Sequence, residues 1–520
     1  MLVYALIKKR CRNIEMKQIR YLLILFLVAL HGIVSAQNLA DRVVEHTYPN
    51  GLKLLMIERH TSPTVAPYIL FKAGSVDESD DARGIAHMLE HMLFKGTKTI
   101  GTTDYEKEKS VLAEIDKIGD ALDIERAKGT KADAEKIAEL EAALKTQQEA
   151  AKEWIVSGEY TEIYTQHGST GFNAGTSVDY TIYTVELPSN KLELWAMLES
   201  DRLKNAVLRE FYVEREAVKE ERRMVVETRP GGKLYEQFMA ASFTAHPYGM
   251  PIIGWPSDIA MLNRKKAEEF FRIHYAPNNF VMVIVGDINV EKTIKLIEKY
   301  FGDIPSQPLP DEVTVREPAQ EGERRIEVEF DAEPQMMIGF HKPTIPHFDD
   351  YVLDMISAIL SDGRTSRFYK NIVEEGIAVS VDSLNGYPGA RYDNLFVVSA
   401  TPRSPHTTAD VEEAIYTQLE RLKTEPVAEK EFKRILKQID ASFVRALSSN
   451  AGMANQLAFY EGIAGDWRYI LNWRKKMYEI TTDDIMRVAQ TYFKKSNRTV
   501  ATLVKKEPIA SESTDMEDSE

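Results

Sequence analysis

Cysteine is almost missing from this sequence. Of 520 residues only Cys11 is one, and it precedes an apolar run at residues 21–30. Downstream of residue 36 there is none, which excludes a disulfide framework and a cysteine nucleophile there. Positive charge is also short. Lys and Arg total 65 against 80 Asp and Glu, for a net charge of −15. That balance argues against a nucleic-acid partner, whose phosphates call for a basic footprint. After residue 36 no apolar run approaches the ~20 residues of a membrane span. What is present is globular: 44% hydrophobic and 28% charged residues, in a chain long enough for two to four domains.

The first 36 residues stand apart. They carry six Lys/Arg and one Glu. "KQIRYLLILFLVALHGIVSA" has a basic start, an apolar run from Tyr21 to Leu30, and small residues at Val34, Ser35 and Ala36. This reads as a secretory signal cleaved after Ala36, with Met16 as an alternative start. An uncleaved anchor is the competing reading, for which the run is short. The expected mature protein is exported, periplasmic or the like, and soluble, with no stable membrane span after signal removal.

"RVVEHTYPNGLKLLMIERH" predicts two strands around a turn at Pro49–Gly51, and "TVAPYILFKAGS" a third. Residues 103–160 differ in composition, with Lys, Glu, Ala and Asp dominating. Apolar residues recur there at helical spacing and break at Gly129–Thr130. This predicts an antiparallel helical hairpin inserted in the first domain. "STGFNAGTSVDYTIYTVELP" returns to strand alternation. Helices are expected at 190–207 and 211–227, and a buried strand at 278–288. The proline-rich, charged stretch 305–325 reads as a linker. After Lys506 six acidic and no basic residues follow, a composition that predicts a disordered tail.

The two halves echo each other. "AHMLEHMLFKG" (86–96) aligns with "LDMISAILSDG" (353–363), and "YAPNNFVMVIVG" (275–286) with "YFKKSNRTVATLV" (492–504). Two matches in the same order predict a duplicated α+β domain. The second copy keeps the apolar frame but has Asp354, Ser357 and Ala358 where the first has His87, Glu90 and His91. The helix therefore packs without those three polar groups, and their presence asks for another reason.

Residues three and four apart share a helix face, so His87, Glu90 and His91 project together. Two imidazoles at that spacing can hold one zinc ion, to which a third ligand and a water are added. Glu90 can then take the proton from that water while the metal polarises a peptide carbonyl. The bland alternative is a pair of core or solvated histidines. The third ligand is expected on "VEREAVKEERRMVVE" (213–227). Glu214 and Glu221 are two turns apart on one face, but periodicity alone does not choose between Glu220 and Glu221.

"HMLEHMLFKGT" resembles the active-site helix of the insulinase/pitrilysin family, the inverted zincins, which include mitochondrial processing peptidase and bacterial relatives. "NAGTSVDYTIYTVELP", "EREAVKEERRM", "HPYGMPIIGWPSDI", "YAPNNFVMVIVGDI" and "LSDGRTSRFY" follow in the family's order. The resemblance implies His87, His91 and Glu221 as Zn2+ ligands, Glu90 as base and Glu214 as a supporting acid. It implies Asn173 and Ala174 on a substrate-binding edge strand that docks peptides by β-augmentation. The expected fold is α+β: two homologous α/β-sandwich domains (37–304 and 326–506), each a mostly antiparallel sheet with helices packed on it.

Two departures from the family pattern matter. His91 and Glu221 are 130 residues apart, a wide spacing that the 103–160 insertion accounts for. The family's Arg/Tyr pair, seven apart in the C-terminal half, falls here on Ile372 and Val379, which have no side-chain donor. Arg391–Tyr392 has the wrong spacing. The expectation is an exported zinc metalloendopeptidase whose site is completed by a homologous Arg/Tyr-bearing partner subunit, or which works as a homodimer. Its rival is a non-catalytic core, scaffold or peptide-binding subunit of a larger complex.

Overall fold

The computed structural model describes residues 39–505. The signal-like segment 1–36 with Met16 and Cys11, and the acidic segment 507–520, lie outside the described residues. Among the described residues no helix is long and apolar enough to cross a membrane.

The first half folds around a sheet with strand order β1-β2-β6-β3-β5-β4. Its strands are β1 (Val44–Thr47), β2 (Lys53–Glu58), β3 (Thr64–Phe71), β4 (Thr170–Thr176), β5 (Thr181–Pro188) and β6 (Phe280–Gly286). The second half has the order β7-β11-β8-β10-β9. These are β7 (Arg324–Phe330), β8 (Gln335–Lys342), β9 (Ala378–Tyr387), β10 (Asn394–Pro402) and β11 (Arg498–Lys505). With β1 set aside, the two sheets agree in order and direction. In each, one parallel pair (β2/β6, β7/β11) is followed by antiparallel neighbours out to the last strand. The duplicated, mostly antiparallel α+β architecture read from two short sequence echoes therefore holds.

The helices that matter below are numbered in chain order. They are α1 (Ile85–Met92), α2 (Tyr105–Arg126), α3 (Ala134–Ala151), α4 (Phe211–Arg222), α5 (Pro230–Ser242), α6 (Phe348–Ser361), α7 (Thr408–Thr424), α8 (Glu429–Ala446) and α9 (Asn450–Ala464). α2 and α3 pack against each other as a hairpin around a 3-10 turn at Gly129–Lys131. Residues 307–322 between the halves carry no helix or strand. The helix expected at 211–227 is α-helical only to Arg222 and continues as a π turn at Arg223–Glu227.

Strand β6, "FVMVIVG", is buried along its whole length, so both sheet faces need cover. One face, with Met282 and Ile284, packs on the first half's own helices. The other, with Val281, Val283 and Val285, packs on Ala454, Leu457 and Ala458 of α9 from the second half. The exchange is reciprocal: α5 of the first half lays Leu234 and Phe238 on Leu395, Val397, Ala501 and Leu503 of the second sheet. Each fully buried Leu, Val or Phe there contributes about 1.5–3 kcal/mol. Neither half covers both faces of its own sheet, so the two are expected to fold as one cooperative unit.

Candidate metal centre

α1 is short, and its apolar side is buried through Ile85, Ala86, Met88, Leu89 and Met92. That leaves His87, Glu90 and His91 together on the other side, as the three- and four-residue spacing requires. The helix starts at Gly84, whose φ of +88° favours glycine. A Cβ there would also lie 2.6 Å from the Ile253 carbonyl oxygen. The first turn's donors are met by a distant acid. The N–H groups of Gly84 and Ala86 both donate to the buried carboxylate of Glu78, at 2.9 Å each. Burial pushes Glu78 up to about 8 against the pull of those donors.

α4 is held beside α1 by buried arginines. Arg215 forks Asp123 of α2 at 2.8 and 3.1 Å and donates to the Leu262 carbonyl. Arg222, adjacent to Glu221, bonds Glu236 of α5 at 2.5 Å and the Gly254 carbonyl at 2.9 Å. These anchors fix the rotation of α4. Glu221 faces the histidines, while its neighbour Glu220 turns to solvent and pairs with Arg223. Of the two glutamates that periodicity left open, Glu221 is the one on the histidines' side.

Ligand atoms of His87, His91 and Glu221 lie within 4.8 Å of one another. His87 Nε2 is 3.7 Å from Glu221 Oε1, and His91 Nε2 is 3.4 Å from Glu221 Oε2. Zinc bonds of 2.0–2.2 Å in a tetrahedron separate ligand atoms by about 3.3–3.6 Å. Each imidazole lies near that distance from a Glu221 oxygen, and two nitrogens with a carboxylate are a donor set that fits a zinc ion.

The charges around the three donors are organised. His91 Nδ1 is 3.0 Å from Glu214 Oε1, whose other oxygen meets Lys95 Nζ at 2.7 Å. The hydrogen bond with His91 lowers Glu214 to about 2. His91 is itself raised to about 9: burial alone would lower it, and the bonds to Glu214 and Glu221 outweigh that. Burial, with His91 beside it, lowers His87 to about 4, and its buried Nδ1 has no partner among the described residues. Lys95 also approaches Glu210 at 3.4 Å. Glu210 is the non-glycine residue with positive φ, +61°, among those described, a strained setting at the start of α4.

Glu90 is placed by the sheet. Its Oε2 accepts a hydrogen bond from Thr176 Oγ1 at 2.6 Å, and burial raises its pKa. Thr176 ends β4, the outer strand of the first sheet. Asn173 and Ala174 lie on that strand, paired on the inner side with Thr184 and Tyr183. Among the described residues no strand pairs with its other edge, and Asn173 is exposed. One strand thus carries both a free backbone edge and the group that holds Glu90.

The second half brings no polar pair to the corresponding place. Ile372 is in the core and Val379 is 53% exposed on β9, the second sheet's outer strand. Arg391 is committed elsewhere: it forks Asp77 at 3.0 Å on both oxygens. The counterparts of the three polar residues on α6 are structural. Asp354 is half-buried and accepts from Trp473 Nε1 and Asn385 Nδ2, and Ser357 bonds Ser383.

Sequence reasoning did not single out Thr176, Lys95, Glu210 or Glu78. A signal existed for two of them. Lys95 is four residues after His91, and Thr176 is two after Ala174, on the same strand face.

The family pattern described as "Insulinase (Peptidase family M16)" matches residues 53–124 and 151–255. A second, "Peptidase M16 inactive domain", matches residues 261–439. The chain belongs to the insulinase family. Its first match breaks between 124 and 151, across the far part of the α2–α3 hairpin. The chain is 25% identical over 503 residues to the zinc protease PqqE of Helicobacter pylori, covering 95% of this chain and 99% of that protein. It is 24% identical to an uncharacterized zinc protease of Streptomyces coelicolor, over 88% and 89% of the two chains. The crystal structure of a protease from Helicobacter pylori matches with a TM-score of 0.74 at 25% identity, over 89% of this chain and 99% of that one. The periplasmic protease PqqL of Escherichia coli shares the fold, with a TM-score of 0.66 at 16% identity over 89% of this chain and 48% of that one.

Proposed function

We propose that this insulinase-family chain is an exported zinc metalloendopeptidase that hydrolyses peptides or unfolded segments. His87, His91 and Glu221 hold the zinc, which when bound supplies Lewis acidity toward water and a peptide carbonyl. Glu90 is the general base. Thr176 engages one of its oxygens, which leaves the other to accept the proton of a water. Burial raises its pKa, which makes it a better proton acceptor than a solvated carboxylate. Glu214 orients His91 by accepting from Nδ1, which presents Nε2 to the metal. Asn173 and Ala174 receive an extended substrate on the open edge of β4, where main-chain bonds give tolerance of sequence.

The observation that carries the reading is the convergence of two imidazoles and one carboxylate at 3.4 and 3.7 Å, beside a further carboxylate tied to an open sheet edge. The scaffold reading gives no reason for four such residues to meet. In our reading the catalytic domain spans 37–304, a linker 305–325 joins it to the non-catalytic domain 326–506, and the signal 1–36 directs export. The likeness to PqqL, a periplasmic protease, supports export. Ile372, Val379 and the committed Arg391 support a homologous Arg/Tyr-bearing partner that completes the site; a homodimer is the second arrangement.

The test is Glu90→Gln. The variant should keep stoichiometric zinc and lose at least about a hundredfold in cleavage of a quenched peptide, the usual share of a positioned base. Cleavage at the parent's rate would show that Glu90 is not the base. A parent chain that binds no zinc would return the scaffold reading. Assaying the chain alone and with its co-purifying partner tests the partner separately; equal rates would remove it.

A further inference from the structure

Far along the chain from the metal centre, α8 and the end of α7 border a groove of about 1060 Å³ with the segment after α6. Its charge is opposite to that of the protein. On a chain of net −15, the groove is lined by seven Lys and Arg residues, among them Arg367, Lys370, Lys430, Arg434 and Lys437, with Glu431 the single acid. Helix periodicity explains the alignment. Lys430, Arg434 and Lys437 are at i, i+4 and i+7 and fall on one face of α8.

A cationic helix face is usually just solvated, and two observations argue against that here. Lys370, Lys430 and Lys437 pair with no carboxylate among the described residues, whereas Arg421 and Lys433 of the same lining pair with Glu425 and Glu429, and lysines elsewhere pair too. The second observation is a built, buried donor. Arg367 is 8% exposed, and its Nε and Nη2 fork Glu431 at 3.1 and 2.9 Å. Its Nη1 is buried and has no partner among the described residues. Arg434 is likewise pre-set, donating to Thr365 Oγ1 at 2.6 Å and to Gln438 at 2.7 Å. Glu431 balances the Arg367 charge, and the remaining Nη1 donor, left without an acceptor, carries a desolvation cost.

We infer that this groove is a docking site for an extended, acidic segment of a partner polypeptide. The spacing selects the shape. Lys430 to Lys437 spans about 10 Å along the helix. An extended chain advances ~3.3 Å per residue, so acids at alternate positions come ~7 Å apart and meet successive cations. A single small anion would need converging donors, and these are strung out. Single-stranded nucleic acid would need stacking platforms, and the lining holds no aromatic residue. The inference is independent of the peptidase reading.

The test uses the full chain and a labelled octapeptide of alternating Glu and Ser, followed by fluorescence anisotropy. A Gln/Ser octapeptide is the neutral control. The acidic peptide should bind, and weaken about tenfold between 25 and 250 mM NaCl, as screened charge contacts do. The triple variant Lys370→Gln, Lys430→Gln, Lys437→Gln changes only unpaired side chains, and should weaken binding at least about tenfold with unchanged circular dichroism and zinc content. Equal affinity for the two peptides, or equal affinity of variant and parent for the acidic one, would overturn the proposal. A labelled oligothymidine of the same charge that binds more tightly, and is lost in the triple variant, would replace the polypeptide by nucleic acid.

Discussion

Replacing Glu214 by Gln separates two effects that the geometry couples. Without metal, His91 is held protonated up to about 9, because its bonds to Glu214 and Glu221 outweigh burial. Zinc binds the neutral imidazole, so metal binding at pH 7 must release that proton. Two pH units correspond to about 2.7 kcal/mol. The parent's zinc affinity should therefore rise about tenfold per pH unit between 7 and 9 and then level off. His87 adds no such cost, since burial and His91 already hold it near 4. Glu214→Gln removes the anionic acceptor 3.0 Å from His91 Nδ1, and such losses weaken metal binding about 10- to 100-fold. It also releases part of the hold on the proton, so His91 moves toward its ordinary value and the competition at pH 7 shrinks. The penalty should be largest near pH 9 and partly masked at pH 7. The assay is competition of the metal-free protein with a zinc-binding fluorophore in buffered zinc, from pH 6.5 to 9.5. A penalty independent of pH, or a parent affinity flat between 7 and 9, would refute the coupling of His91 to Glu214.

Thr176→Val removes the 2.6 Å bond to Glu90. It should lower kcat about tenfold with little change in KM or zinc content, and Thr176→Ser should restore most of it; an unchanged kcat would free Glu90 from the strand. His87, His246 and His274 are each lowered to about 4, first by burial. Below pH 6.5 the unfolded chain binds protons that the folded one refuses, so stability falls as pH drops from 6.5 through 4, by a few kcal/mol per buried histidine on the order of the shift. His91, raised, acts in the opposite sense: its stabilisation is present below 6.5 and lost as pH climbs through 9. The metal-free protein should thus melt at steadily lower temperature from pH 6.5 to 4.5, and a constant melting temperature over that window would contradict the burial of these rings. Gly84→Ala places a Cβ 2.6 Å from the Ile253 oxygen at a positive φ; it should cost about 1–3 kcal/mol in denaturant unfolding, and an unaltered midpoint would mean that the start of α1 yields freely.

Much of the candidate site was legible because helices convert spacing into direction. His87, Glu90 and His91 share a face by spacing alone, and so do Glu214 and Glu221. The choice of Glu221 over Glu220 was not in that periodicity. It came from resemblance, and its physical basis is the rotation of α4, set by Arg215 on α2 and by Arg222 on Gly254 and α5. The duplication was legible for a similar reason. Strand and helix patterns repeat locally, and the two sheets keep the same order once β1 is set aside.

The sequence by itself determined that His87, Glu90 and His91 share one helix face, and that one fold occurs twice. Each follows from local period and local chemistry. Only the tertiary structure decided what braces them: Thr176 on Glu90 across 86 residues, Glu78 under the start of α1, Lys95 behind Glu214, and the exchange of α5 and α9 between the halves. These are contacts between elements far apart in the chain. No period within either partner encodes them, because they arise from how the packed layers meet.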